Sequence, residues 1–453
     1  MVPNRTWLSS KIMLACIVAC TVSMNCHAFD NILGKELNPA YCKAHPADPD
    51  CPRVYQDAAQ GTCTTNADCM STTGVCDRAG SMMCVQCLAP DQISACRDAT
   101  PVCGTNHACR ACSTHTECPL SDACLPDGSC AATDQVAYVQ AGGTGLACTK
   151  QQPCGTLDAG VKANKPYVKM ATGTVADSQT TSIDGKTVTI LADPGAKLGR
   201  SNAGVILEVK NNADVKIYDL EITGGTGIAN AAISMPNGGA PGLALTRVTV
   251  DGNQGLGISS AAAGMLRVSQ SMFSSNGGGG ISVSGGQFDI TNSFIVNNGG
   301  GASAFGGIKV DAITAGMASG MYRIDFNTIA QNSGPVGVDL GVSCGTVLVP
   351  VTVSNNIIYD NAVSGVGKQV SGTTSNCLTT YSDVGPDLAM GTGNINLAPM
   401  FVDTVGGNFH LMASSPAKDA ADPNATLGND FDGDVRPQPR GGRRDMGADE
   451  VRQ

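Results

Sequence analysis

A segment that repeats itself without gaps constrains this chain more than any other feature. Five stretches align: LALTRVTVDGN ending at Asn253, LRVSQSMFSSN at Asn276, FDITNSFIVNN at Asn298, YRIDFNTIAQN at Asn332 and VTVSNNIIYDN at Asn361. An earlier copy, VKIYDLEITGG, ends at Gly225 and lacks the Asn. Successive ends lie 28, 23, 22, 34 and 29 residues apart. Ten positions before each end stand Val215, Leu243, Leu266, Phe288, Tyr322 and Val351. Eight before stand Ile217, Leu245, Val268, Ile290, Ile324 and Val353, and three before stand Ile222, Val250, Phe273, Ile295, Ile329 and Ile358. Apolar residues two apart, a polar corner and another apolar residue describe a strand that bends and resumes as a strand. Repeats of this length and pattern are turns of a parallel β-solenoid, in which each turn buries its inner face only by stacking on its neighbours. The terminal Asn of each copy is expected to take a left-handed turn conformation, and successive Asn side chains to hydrogen-bond as a ladder.

The chain has 453 residues, enough for two or three domains, and its 56 Gly and 15% charged residues suit a coil with many turns. A net charge of −10, with a pI near 4.9, leaves no basic stripe to neutralise phosphates and argues against a nucleic-acid partner. Arg5 and Lys11, an apolar run from Ile12 to Met24 and Cys26-His27-Ala28 make residues 1–28 a signal peptide cut after Ala28. The competing Ile17-Val18-Ala19-Cys20 stretch resembles a bacterial lipobox, which would leave a lipid on Cys20. Cysteine parity favours cleavage after Ala28, which leaves 18 of the 21 cysteines, an even number. Either route exports the protein, and no second segment is apolar and long enough to span a bilayer.

Residues 29–132 are expected to form a disulfide-rich module. From Cys42 to Cys154 there are 16 cysteines. Three units recur within them: Cys63, Cys69, Cys76, Cys84; Cys87, Cys96, Cys103, Cys109; and Cys112, Cys118, Cys124, Cys130. Their polar filling offers almost no apolar core, so disulfides must supply the constraint. The CxxC pairs Cys84/Cys87 and Cys109/Cys112 imitate a zinc ribbon, but an even cysteine series behind an export signal favours oxidation. A thioredoxin-like role lacks a βαβ context. The solenoid should occupy 133–398, with Thr156 capping a short helix that plugs its first edge, and Thr187 to Leu191 and Gly204 to Val209 as first strands. Extra length after Asn298 and Asn332 should bulge as loops near 299–320 and 333–350. Cys344 and Cys377, about one rung apart, are expected to be bonded, since rungs lie ~4.8 Å apart.

Residues 399–453 form a C-terminal end module. Its strings FVD…GNFHL…SPAKDA, DFDGDVRP and DMGADE resemble the C-terminal module of secreted bacterial right-handed parallel β-helix proteins with the pectate-lyase-like fold, of the choice-of-anchor type. The Cys-rich units are similar to those that precede β-helices in exported proteins of myxobacteria and their relatives. The resemblance covers most of residues 60–450. It implies an all-β, right-handed β-helix behind a small disulfide-rich module, and an extracellular or outer-surface location. It implies no chemistry, because that family has no general catalytic motif.

The residues themselves offer little chemistry. Hydrolases of this fold resemble one another in Asn-Thr-Asp, Asp-Asp, Gly-His-Gly and Arg-Ile-Lys strings, and Arg323-Ile324-Asp325 is the one near miss. No His lies between residues 150 and 400, and the only Trp, Trp7, is in the leader. Lyases of the fold need carboxylates around Ca²⁺ and an Arg or Lys base. Here the register instead stacks Arg267–Asp289–Arg323 as an alternating surface ladder and sets Asp219 beside Arg247, which weighs against Asp219 and Glu221 as an acid/base couple. Asp430, Asp432 and Asp434 alternate in a way that suits Ca²⁺, although Val435 and Gly441 stand where an EF-hand loop wants Gly and Glu. Arg436, Arg440, Arg443 and Arg444 offer these acids, and Asp445, ion pairs instead. His410, alone in an alternating strand, is expected to be structural. The sequence therefore points to an exported or cell-surface β-helix, without catalysis, that binds a polysaccharide or a cell-surface component. A polysaccharide lyase or glycoside hydrolase built from the long loops is the alternative.

Overall fold

The computed structural model of the chain describes residues 63, 65–69, 74–81, 83–88, 96–300, 305–311, 313, 322–335, 339–362, 368–372, 375–387 and 390–452. The leader over 1–28, Cys20, Cys42 and Cys51 lie outside the described residues. The chain divides into two compact units after Cys130.

In the first unit each four-cysteine repeat closes on itself, first to third and second to fourth. The bonds are Cys63–Cys76 with Cys69–Cys84, Cys87–Cys103 with Cys96–Cys109, and Cys112–Cys124 with Cys118–Cys130. The crossed bonds span 12 to 16 residues each. Restricting loops of that size in the unfolded chain stabilises by about 3 kcal/mol per bond in the chain-entropy model, where burial alone could not. The CxxC pairs straddle the boundaries between repeats, and every member is bonded elsewhere.

The second unit, residues 131–453, is a coil of parallel strands in three sheets of ten, nine and eight strands. One turn stands for the rest. Met265–Ser269 runs in the ten-stranded sheet, Met272–Ser274 in the nine-stranded sheet and Gly279–Val283 in the eight-stranded sheet, and Gln287–Thr291 then returns to the first. The predicted columns hold in register: Leu243 pairs with Leu266, Leu266 with Phe288 and Phe288 with Tyr322, while Val250, Phe273, Ile295 and Ile329 stack in the nine-stranded sheet. All of these face a continuous core.

The corners are where polar residues work. At the second corner Nδ2 of each Asn donates to Oδ1 of the next, from Asn253 through Asn276, Asn298 and Asn332 to Asn361, at 2.8–3.0 Å, and Asn361 donates to Gln369. The ladder is as expected, but the left-handed turn is not placed on these Asn. The residue before each one takes it: Gly252, Ser275, Asn297, Gln331 and Asp360 have positive φ. That residue turns the chain, so the following Asn points inward, where it is buried and must find its partners on neighbouring rungs. Gly257, Gly280, Gly307 and Gly341 sit four or nine positions after the ladder and pass close to the rung above. A Cβ there would lie 2.8–2.9 Å from Phe273, Ile295, Ile329 or Ile358. A second ladder lines the first corner through Ser271, Ser293, Asn327, Asn356 and Ser382, each accepting from the backbone N–H one rung before.

Other expectations shift at the ends. The coil begins before Thr187: Val136–Val139 and Tyr167–Met170 already belong to the ten-stranded sheet. The helix Leu157–Lys162 has Thr156 accepting from Ala159 N at 3.2 Å and buries Leu157, Gly160 and Val161 in the core. The loops near 299–320 and 333–350 are not loops throughout, since Ile308–Val310 and Asp339–Cys344 are strands of the eight-stranded sheet. Cys344 and Cys377 are bonded, with Cα atoms 5.7 Å apart. The bond links the end of an eight-stranded-sheet strand to a ten-stranded-sheet strand on the following rung.

The tail after Pro399 folds back along the flank of the coil. On the nine-stranded sheet the outward column runs Thr174, Lys197, Glu221, Thr249, then Met272, Phe294, Thr328, Ile357 and Asp383. It changes from polar to largely apolar at Met272, and there the tail lies: Phe409, Ala448 and Phe431 pack with Phe294 and Val296, and Leu411 and Met446 pack with Ile357 and Phe326.

Candidate functional site

The side chains with the most unusual chemistry lie in this tail and under it. Asp430 is buried, and its carboxylate accepts from Asp434 N at 2.7 Å and Glu450 N at 3.0 Å. Asp434 turns outward to Arg452. Asp432 also turns outward and meets His410 Nε2 at 2.9 Å. Asp430, Asp432 and Asp434 therefore do not converge on one point, because Asp430 N donates to Asp434 O and the segment is a tight turn rather than an extended strand.

The remaining acids of the DFDGDVRP and DMGADE strings receive backbone N–H groups. Asp445 accepts from Asp419 N and Val451 N, and Glu450 from Gln438 N and Asp445 N. Arg436 is at the centre. Its guanidinium donates to Asp445 O, Gly447 O and Glu450 Oε2 and lies 4.8 Å over the Phe326 ring. Arg443 and Arg444 donate to carbonyls, not to acids. Burial pushes Asp445 up to about 7 despite its two N–H donors, and raises Asp430 and Asp449 in the same direction.

The sequence suggests a lone structural His410, and the structure gives it company. Among the described residues outside the disulfides, His410, Asp432 and Asp449 alone bring three ligand atoms within 4.8 Å of one another. His410 and Phe431 also pack against Phe294, which ties the cluster to the coil.

On the coil itself the near-miss triplet is closed. Arg323 grips Asp289 with Nε and Nη2 at 2.8 and 2.9 Å, and Asp325 is buried beneath it, accepting from Asn355 at 2.8 Å. Burial pushes Asp325 up to about 6. Arg267, the third member of the predicted ladder, stays exposed and makes no ion pair among the described residues, because Asp289 gives both oxygens to Arg323. Arg247 and Asp219 form the predicted bidentate pair at 2.6 and 2.8 Å.

Asp383, in the nine-stranded sheet, is fully buried with Oδ1 accepting from Leu397 N and Oδ2 without a partner among the described residues. Burial pushes it up to about 6, so the folded state holds its proton where the unfolded chain, near 3.8, has lost it. That contribution is complete below about pH 4 and is lost as pH rises through about 6. Asp383→Asn is therefore expected to stabilise the protein at pH 8 by about 1–3 kcal/mol and to have little effect at pH 4. Urea titrations at the two pH values decide it, and an equal effect at both sinks the idea.

The sequence of residues 231–399 matches the model of the right handed beta helix region. The coil is a right-handed β-helix. Among solved structures, this chain is similar to the crystal structure of pectate lyase Pel9A at 13% identity, with a TM-score of 0.39, covering 70% of this chain and 96% of that one. No curated protein matches it. Among the described residues of the β-helix and the Cys-rich unit there are eight disulfides, and no helix is long and apolar enough to cross a membrane.

Proposed function

We propose that this is an exported β-helix protein, extracellular or held at the outer surface of a bacterial cell, that binds an acidic polysaccharide along its flank and does not cleave it. The observation that carries the reading is the outward column of the ten-stranded sheet: Thr189, Lys216, Ala244, Arg267, Asp289, Arg323 and Thr352. Arg323 is committed to Asp289, whereas Lys216 and Arg267 are exposed and make no ion pair among the described residues. Two rungs separate them, roughly 10 Å at the strand spacing, a distance an extended polyanion can bridge with carboxylates on alternate sugars. Such rim charges give salt-dependent, moderate affinity, as a surface ligand requires.

A polysaccharide lyase or glycoside hydrolase is the competing reading, and Asp325 is its best foothold. Asp325 is 8% exposed, and the neighbouring guanidinium that would meet a substrate already holds Asp289. The test is size-exclusion chromatography of acidic and neutral polysaccharides after incubation with the oxidised protein. Acidic glycan should co-elute intact, and Lys216→Glu with Arg267→Glu should weaken binding at least tenfold. A shortened glycan transfers the case to the enzyme. Co-elution that ignores the charge reversals removes the proposed face.

A further inference from the structure

The tail cluster carries an inference separate from glycan binding. His410 Nδ1 lies 2.7 Å from Asn408 Oδ1, and the identity of that oxygen is fixed because it also accepts from His410 N at 3.1 Å. Nδ1 must then carry the ring hydrogen, and Nε2 turns its lone pair toward Asp432 Oδ2, 2.9 Å away. Two electron-rich atoms at that distance need a cation, either a second ring proton or a metal ion. Asp449 supplies an independent pointer. It is 7% exposed, one of its oxygens accepts from Leu411 N at 2.7 Å, and the other has no hydrogen-bond partner among the described residues and is open to solvent, as the outer ligand of an ion must be.

We propose that His410, Asp432 and Asp449 bind a divalent transition-metal ion, Zn²⁺ in first place. One imidazole nitrogen and two carboxylates make three protein ligands and leave a fourth position for water. The nitrogen ligand favours zinc over calcium, which takes oxygen ligands. The ligand atoms already lie within 4.8 Å, and tetrahedral zinc at ~2.1 Å from each would set them ~3.4 Å apart, so the 2.9 Å contact opens by about half an ångström and the wider separations close by up to ~1.4 Å, within reach of side-chain rotation at the exposed His410 and Asp432. Asn408 on Nδ1 and Leu411 N on Asp449 are the outer hydrogen bonds that orient such ligands. The three ligands come from the strand Asn408–Leu411, the turn at Asp432 and the chain near Glu450. One ion would therefore clasp three distant segments of the tail, and binding only to the folded form would raise its stability.

The test uses the oxidised full chain, stripped with chelator and titrated calorimetrically with Zn²⁺, Mn²⁺ and Ca²⁺ in turn, with thermal melts beside each titration. Parent and Asp434→Asn, whose carboxylate pairs with Arg452 outside the cluster, should bind one Zn²⁺ at micromolar Kd or tighter and melt higher with it. His410→Ala and Asp432→Asn should each weaken binding at least tenfold. The Asp432 side chain is 41% exposed, so Asp432→Asn should melt with the stripped parent, whereas His410→Ala also loses ring packing on Phe294 and Phe431 and is judged by its Zn²⁺ affinity. The site is refuted by the absence of saturable binding, by either variant binding within threefold of the parent, or by Ca²⁺ binding as tightly as Zn²⁺.

Discussion

Arg436→Ala should cost the protein about 3–5 kcal/mol, most of it in the tail. The guanidinium and the Glu450 carboxylate are both fully buried and 3.1 Å apart. Glu450 also takes N–H groups from Gln438 and Asp445, so deleting Arg436 strands a negative charge with Asp430, Asp445 and Asp449 nearby. It also frees the carbonyls of Asp445 and Gly447 and removes the cation from the Phe326 ring. Arg436→Met restores apolar volume but not the charge, and should remain damaged. Adding Glu450→Gln to it should recover a large part of the loss, since an uncompensated buried charge costs more than a missing pair. Local release of the tail would uncover Phe294, Val296 and Ile357, so the variant should be cut near Pro399 by a protease well below its melting temperature. A melting temperature within about 2 °C of the parent, together with unchanged proteolysis, would falsify this account.

The coil is legible in the sequence because its information is periodic. Leu266, Phe288 and Tyr322 fall over one another as soon as the repeats are aligned, as do Asp219 and Arg247, since a parallel rung fixes register. The second ladder has the same periodic signature, with Ser271, Ser293, Asn327 and Asn356 all five positions before a repeat end. The tail is legible in part. Met272, Phe294, Val296 and Ile357 are apolar at positions that face outward, a signal that something covers them. What covers them is set by docking, which no period encodes. Reading Asp430, Asp432 and Asp434 as one ligand set assumes a chain in which alternate side chains share a face. The turn at Gly433 sends Asp430 inward, and the partner of Asp432 arrives on His410, 22 residues away.

Asn332→Ala should cost about 3–5 kcal/mol even though it removes only a small polar group. The Asn332 amide is fully used: Nδ2 donates to Asn361 Oδ1 and Ile295 O, and Oδ1 accepts from Asn298 N and Nδ2. Alanine leaves the Asn298 N–H, one hydrogen of its amide and the Ile295 carbonyl without partners in a dry corner, at roughly 1–3 kcal/mol each when water cannot reach them. Asn298→Ala damages the rung before it in the same way. The two share one contact, so the double variant should cost about 1–2 kcal/mol less than the sum of the singles. Asn253 and Asn361 share no contact in the chain of donors, and their effects should add within about 0.5 kcal/mol. Urea denaturation of the oxidised protein gives all of these values. Additivity at the adjacent pair would mean that each Asn merely satisfies its own rung. Coupling there and independence at the distant pair would mean that stability passes from turn to turn through nearest neighbours, as a solenoid requires.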